Sequence, residues 1–126
     1  MPLFDKTKFA ETLNANAESG STGRCANFVR RALEAAGLNT TGHPLYAKDW
    51  GPTLERMAFK AVPKDQSYVA TIGDVVVLQP PKDRKEGHIA GFDGKKWISD
   101  FVQTDMWAGP AYRKEQPPYE IYRNPL

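Results

Sequence analysis

The hydrophobic pattern of this chain changes period midway, and that change limits the folds open to it. Cys25, Phe28, Val29, Ala32, Leu33 and Ala36 advance in steps of three and four, the spacing of one buried helix face, and leave Arg24, Arg30, Arg31 and Glu34 to solvent. Gly37 follows as the stop. An earlier amphipathic helix is expected from Asp5 to about Asn16, with Asp5 as N-cap and Phe9 and Leu13 on one face. A helical turn is expected over Leu45–Trp50, and Gly51-Pro52-Thr53 introduces a short helix over Leu54–Met57. From Val75 to Leu78 the apolar run is instead continuous, β-branched and of strand length, the signature of a buried central strand. Residues 87–92 and 96–101 read as two strands joined at Asp93-Gly94-Lys95, and Tyr119–Arg123 as a last strand closing the sheet. The segment holding Trp107, Gly109, Pro110 and Tyr112 reads as irregular. Helices first and antiparallel strands second make an α+β chain.

With 126 residues the chain is expected to form one domain over 1–126, able to bury a core without metals or disulfides. Its lone cysteine excludes an internal disulfide, and no cysteine–histidine cluster has metal-ligand spacing, so no metal or organic cofactor is expected. A net charge of +2, scattered among nearly as many carboxylates, argues against a nucleic-acid partner. No apolar stretch is long enough for a membrane span. The start Met-Pro-Leu-Phe-Asp-Lys lacks the basic region and apolar run of a signal peptide, which predicts synthesis in the cytoplasm.

Cys25 falls in the first turn of its helix. Ser21 or Thr22 is placed to cap that turn, and the free N–H groups together with Arg24 would favour a thiolate. The alternative is a core thiol with no chemistry, because free cysteines are among the most buried residue types. A partner decides between them. With a three-residue loop Asp93-Gly94-Lys95, Phe92 faces Lys96, and His88 comes opposite Asp100 on the same sheet face. Cys25, His88 and Asp100 would then be nucleophile, base and the carboxylate that fixes the base's tautomer. A two-residue Asp93-Gly94 loop would set Ser99 opposite His88 instead. Asp74 reads as bonding nearby backbone, and His43, beside Pro44, as the weaker candidate base.

Three blocks carry a resemblance: Gly23-Arg24-Cys25-Ala26-Asn27-Phe28-Val29-Arg30, Gly73-Asp74-Val75-Val76-Val77, and Gly87-His88-Ile89-Ala90-Gly91-Phe92-Asp93-Gly94. In this order they resemble the CHAP and NlpC-type peptidoglycan amidases of the papain-like superfamily. Trp97–Gln103, with Gly109-Pro110-Ala111-Tyr112-Arg113 after it, is most similar to small stand-alone amidase effectors delivered by type VI secretion.

The resemblance implies a helical N-terminal half whose nucleophile helix packs on an antiparallel sheet, with Cys25 and His88 catalytic. The superfamily's third residue varies, so it falls on Asp100 or on Gln103. The implied activity is hydrolysis of an amide bond in peptidoglycan stem peptides, with Cys25 N–H and a donor from Ser19–Thr22 holding the oxyanion. A non-catalytic binding module of the same fold, or a thiol acyltransferase or protease on another substrate, are the alternatives. The implied partners are an immunity protein and a secretion apparatus, for a monomer acting in the periplasm or on the wall of a target bacterium.

Overall fold

Asp5 caps the first helix as expected: its Oδ1 accepts the Lys8 N–H at 2.9 Å. The computed structural model describes residues 3–125. Met1, Pro2 and Leu126, which include both ends of the expected domain and the first residues of the expected leaderless start, lie outside the described residues. Helix α1 spans Lys6–Asn16, α2 Cys25–Ala35, α3 Gly51–Arg56 and α4 Pro110–Glu115, with a 3-10 turn at Ala47–Asp49. The strands are β1 Lys60–Ala61, β2 Val75–Leu78, β3 His88–Phe92, β4 Trp97–Ile98 and β5 Tyr119–Arg123. They form one antiparallel sheet in the order β1-β5-β2-β3-β4, the α+β architecture expected.

The unbroken apolar run of β2 is explained by cover on both faces. Val75 and Val77 join Phe9, Leu13, Val29, Leu33 and Trp50 under the helices. Val76 and Leu78 join Ala90, Trp97 and Ile121 on the other face, roofed by Tyr68, Trp107, Tyr112 and Tyr119. Each fully buried Leu, Val or Phe contributes about 1.5–3 kcal/mol. Since α1 shows only a weakly amphipathic pattern, its docking through Phe9 and Leu13 rather than helix propensity holds it in place. Asp74, wholly buried, accepts from Thr71 N–H (3.0 Å), Tyr68 Oη (2.8 Å) and Arg123 Nε (2.8 Å). It bonds nearby backbone, as the sequence suggested, and ties the start of β2 to the end of β5.

Three details depart from expectation. Strand β5 lies inside the sheet between β1 and β2, because the unforeseen strand β1 covers its outer edge. Residues 110–115 are helical where an irregular segment was expected. The β3–β4 register is also shifted. Phe92 pairs with Trp97 and Gly91 with Ile98, so the loop is Asp93-Gly94-Lys95-Lys96 and neither the two- nor the three-residue version forms. The cause is Asp93, whose Oδ1 accepts from both Lys95 N–H (2.8 Å) and Lys96 N–H (2.6 Å) and holds Lys96 in the turn. Extended, this pairing would set Phe101 rather than Asp100 opposite His88. The strand ends first, at Ile98, and the chain reverses, with Ile98 bridging Val102 and Gln103 N–H donating to Trp97 O at 2.9 Å.

Gly91 is the point where α1 presses on β3: a Cβ there would lie 2.7 Å from Phe9 Cε2 and 2.9 Å from Leu13 Cδ1. Gly91→Ala is therefore expected to destabilise the protein by about 1–3 kcal/mol, the usual penalty for overpacking. Urea denaturation followed by tryptophan fluorescence measures it; an unchanged midpoint would show that α1 yields without loss.

Candidate active site

Helix α2 brings Cys25 to the side of β3. Because β4 stops at Ile98, opposite Gly91, it leaves the first residues of β3 without a ladder partner on that edge, and the Ile89 backbone there acts on Cys25 in the direction that favours a thiolate. Successive strand side chains alternate. Ile89 points into the helical layer, and His88 lies on the opposite face with Ala90. Gly87, at φ +72°, immediately precedes β3; a Cβ there would lie 2.8 Å from Lys48 Cβ, so glycine is needed to bring His88 into place. Cys25, His88, Asp100 and Tyr112 all line one open cleft of about 400 Å³.

His88 is held by Gln103. The two buried side chains meet at 2.8 Å, His88 Nε2 to Gln103 Oε1. The amide is oriented from its other end, where Nε2 donates to the carbonyls of Asp105 (2.9 Å) and Met106 (3.3 Å). With the nitrogen engaged by two acceptors, the oxygen must face the ring, so His88 Nε2 carries the proton and Nδ1 keeps the lone pair of a base. Of the two candidates for the third position, Gln103 makes this bond. Asp100 is bonded elsewhere: its Oδ2 accepts from Thr22 N–H (2.6 Å), Thr22 Oγ1 (2.8 Å) and Arg24 N–H (3.4 Å), and its Oδ1 from Ser99 Oγ (3.0 Å). Its carbonyl also accepts Glu18 N–H at 2.7 Å. Asp100 thus fastens the loop that leads into α2. The expected His88–Asp100 pairing fails because of the register shift and the reversal after Ile98.

Thr22, committed to Asp100, neither caps α2 nor offers a donor to the cleft; the N-cap residue is Arg24, with no side-chain cap bond. Arg24 carries its guanidinium over the Phe28 ring, 5.8 Å from the centroid. His43 stacks on Trp50 at 5.5 Å and bonds the Pro44 carbonyl at 3.0 Å, so its ring is occupied away from the thiol.

The electrostatics correct the expected thiolate. Burial, with the Asp100 carboxylate acting in the same direction, pushes the Cys25 thiol up to about 11. Hydrogen bonds from Ile89, Ala26 and Cys25 N–H groups favour the thiolate, as a helix N-terminus should, but burial outweighs them. Burial also lowers the His88 pKa, against the opposing effects of Gln103 and Asp100. Burial would raise the Asp100 pKa, yet the two Thr22 bonds hold it below the ordinary value. At neutral pH the resting cleft therefore holds a thiol and a neutral imidazole.

Sequence reading passed over Tyr112 as a functional residue. It sits on α4 with its ring 5.9 Å from His88. The signal available was Gly109-Pro110, a helix start with Pro at its first position. Among the described residues no group of His, Cys, Asp and Glu is placed to hold a metal ion.

No protein-family model and no curated protein sequence matches the chain. Among solved structures it is similar to Tae3 in the native type VI effector–immunity complex Tae3–Tai3 from Ralstonia pickettii, with 37% identity, 96% of this chain and 99% of that chain covered, and a TM-score of 0.87. The selenomethionine form of that complex gives 39% identity, 92% and 99% coverage, and a TM-score of 0.82.

Two outcomes follow from the site. Alkylation of Cys25 by iodoacetamide should climb with pH toward an inflection near 11, and Asp100→Asn should move that inflection down by removing an anion that disfavours the thiolate; a plateau at neutral pH would contradict the resting thiol. Gln103→Ala should lower turnover by about 10–10³, because a histidine triad partner fixes the tautomer but an ionisable thiol needs less help than a hydroxyl. Asp100→Asn should retain more turnover than Gln103→Ala, and the reverse ranking in an assay of cleaved product would return the third position to Asp100.

Proposed function

This chain belongs to the family of the type VI effector Tae3, and from that premise we propose that it is a cysteine amidase hydrolysing an amide bond in peptidoglycan stem peptides. The observation that carries the chemistry is the fixed His88 tautomer in the open cleft that Cys25 also lines. His88 Nδ1 takes the Cys25 proton as sulfur adds to the amide carbonyl. Gln103 Oε1, accepting from Nε2–H, keeps the ring in place while it is charged, and Asp100 favours the imidazolium through space. The Cys25 N–H, at the start of α2, faces the developing oxyanion. His88 then protonates the leaving amine, the C–N bond breaks, and water hydrolyses the thioester. No metal or organic cofactor enters these steps.

In the wider classification this is a papain-like, CHAP or NlpC-type arrangement within a single domain, acting as a monomer. The complexes from Ralstonia pickettii pair an effector with an immunity protein, and this chain is read as having an immunity partner of its own. It would be passed to a type VI apparatus and act on the wall of a target bacterium. No described helix is long and apolar enough to cross a membrane.

Mass spectrometry of muropeptides tests the reaction: wild type should release cut stem peptides, and Cys25→Ala, with an unchanged circular dichroism spectrum, should release none. Cleavage by Cys25→Ala would overturn the cysteine mechanism. Expression directed to the periplasm of a Gram-negative host should lyse it and cytoplasmic expression should be tolerated, because the substrate lies outside the inner membrane. Equal toxicity in both compartments would point to a cytoplasmic substrate, and none in either to a binding module.

A further inference from the structure

Tyr112 faces the catalytic cleft, and its hydroxyl is uncommitted. Its ring lies 5.9 Å from His88 at 57° and the residue is half-buried, yet among the described residues no hydrogen bond to its Oη forms. Tyr68, by contrast, spends its hydroxyl on Asp74 at 2.8 Å. Six-residue α4 is also fastened by two residues that follow the tyrosine. Arg113 Nε bonds Asp105 Oδ2 at 3.1 Å, and Glu115 Oε1 accepts Lys82 N–H at 2.7 Å. The segment leading into it is held by Gln103, the residue that orients His88. An isolated helix this short has no stability of its own, so these anchors present one ring to the cleft in a fixed place.

We propose that Tyr112 is a catalytic residue whose phenolic O–H, together with the Cys25 N–H, donates a hydrogen bond to the oxyanion formed when Cys25 adds to the substrate carbonyl. This rests on the cysteine hydrolase reading above. As the S–C bond forms, the Cys25 proton passes to His88 and the carbonyl π pair moves onto oxygen. Tyr112 keeps its proton throughout and donates only a hydrogen bond. As the C–N bond breaks, the oxyanion pair returns to the carbonyl, the His88 proton leaves with the amine, and the Tyr112 bond relaxes. Burial, and then the charge of Cys25 when ionised, push the phenol up to about 12, so it remains a donor over the whole working range. The uncommitted hydroxyl also fills the gap left by Thr22, whose donors go to Asp100.

Tyr112→Phe keeps the ring against His88 and removes only the donor. It is expected to lower kcat about 10²-fold, the usual loss for one oxyanion donor, with KM within about twofold. The acid limb of the pH profile should stay where it is, and a stem-peptide aldehyde, which forms a tetrahedral adduct with the thiol, should bind about 10²-fold more weakly. Thermal unfolding confirms that the variant is folded, and intact substrate should bind Cys25→Ala and Cys25→Ala/Tyr112→Phe alike. Turnover within twofold of wild type, or a loss that comes with a shifted acid limb, overturns the proposal while wild-type cleavage leaves the hydrolase reading standing. A wild-type chain inert on peptidoglycan and blind to the aldehyde overturns both.

Discussion

The early end of β4 is the constraint on which the site depends. A strand continued past Ile98 would pair with the first residues of β3, and the Ile89 N–H would be spent inside the sheet. Stopped at two residues, β4 leaves that edge to the Cys25 thiol. The reversal that ends it carries Ser99, Asp100 and Gln103 into the space the strand would have filled. All three are buried, and buried polar groups have to find partners. Asp100 turns toward the loop before α2 and Gln103 toward His88. One missing stretch of ladder therefore accounts for the place of Cys25, the loop's anchor and the orientation of His88.

Burial works against charge in this cleft. A thiol raised to about 11 and an imidazole lowered from its ordinary value, lining one cleft, are groups at rest, with the proton still on sulfur. Charge separation then belongs to the moment when a carbonyl is within reach and donors are aimed at the new oxyanion. Donors already oriented before the reaction need no reorganisation when that charge appears. Asp100 contributes to both halves with opposite sign, disfavouring the thiolate and favouring the imidazolium.

Much of this was legible in the residues. The step of three and four through Phe28, Val29, Ala32 and Leu33, and the β-branched run at Val75, depend on local spacing, and both elements formed where that spacing placed them. The places of Cys25 and His88 were legible because a helix start and a strand start are local features. The side chain that bonds His88 was not, because it required a register and a turn length. Asp93 decides the turn through bonds from Lys95 and Lys96 N–H, and a short loop gives several lengths similar standing. The thiolate expectation weighed helix N–H groups without the desolvation that tertiary packing imposes. Tyr112 was hidden because α4 is held by Asp105 and Lys82 rather than by any pattern of its own.

The bonds from Thr22 to Asp100 join residues near opposite ends of the chain. Cys25 and His88 likewise come from distant stretches, with Gln103, which bonds His88, later still. Contacts of such separation form late, after the entropy of closing long loops has been met. No local fragment of this chain contains the whole cleft, and a nascent or unfolded chain has Cys25 on a helix that leads nowhere. Competence would arise in a single cooperative step, when the sheet closes and the strand order is complete.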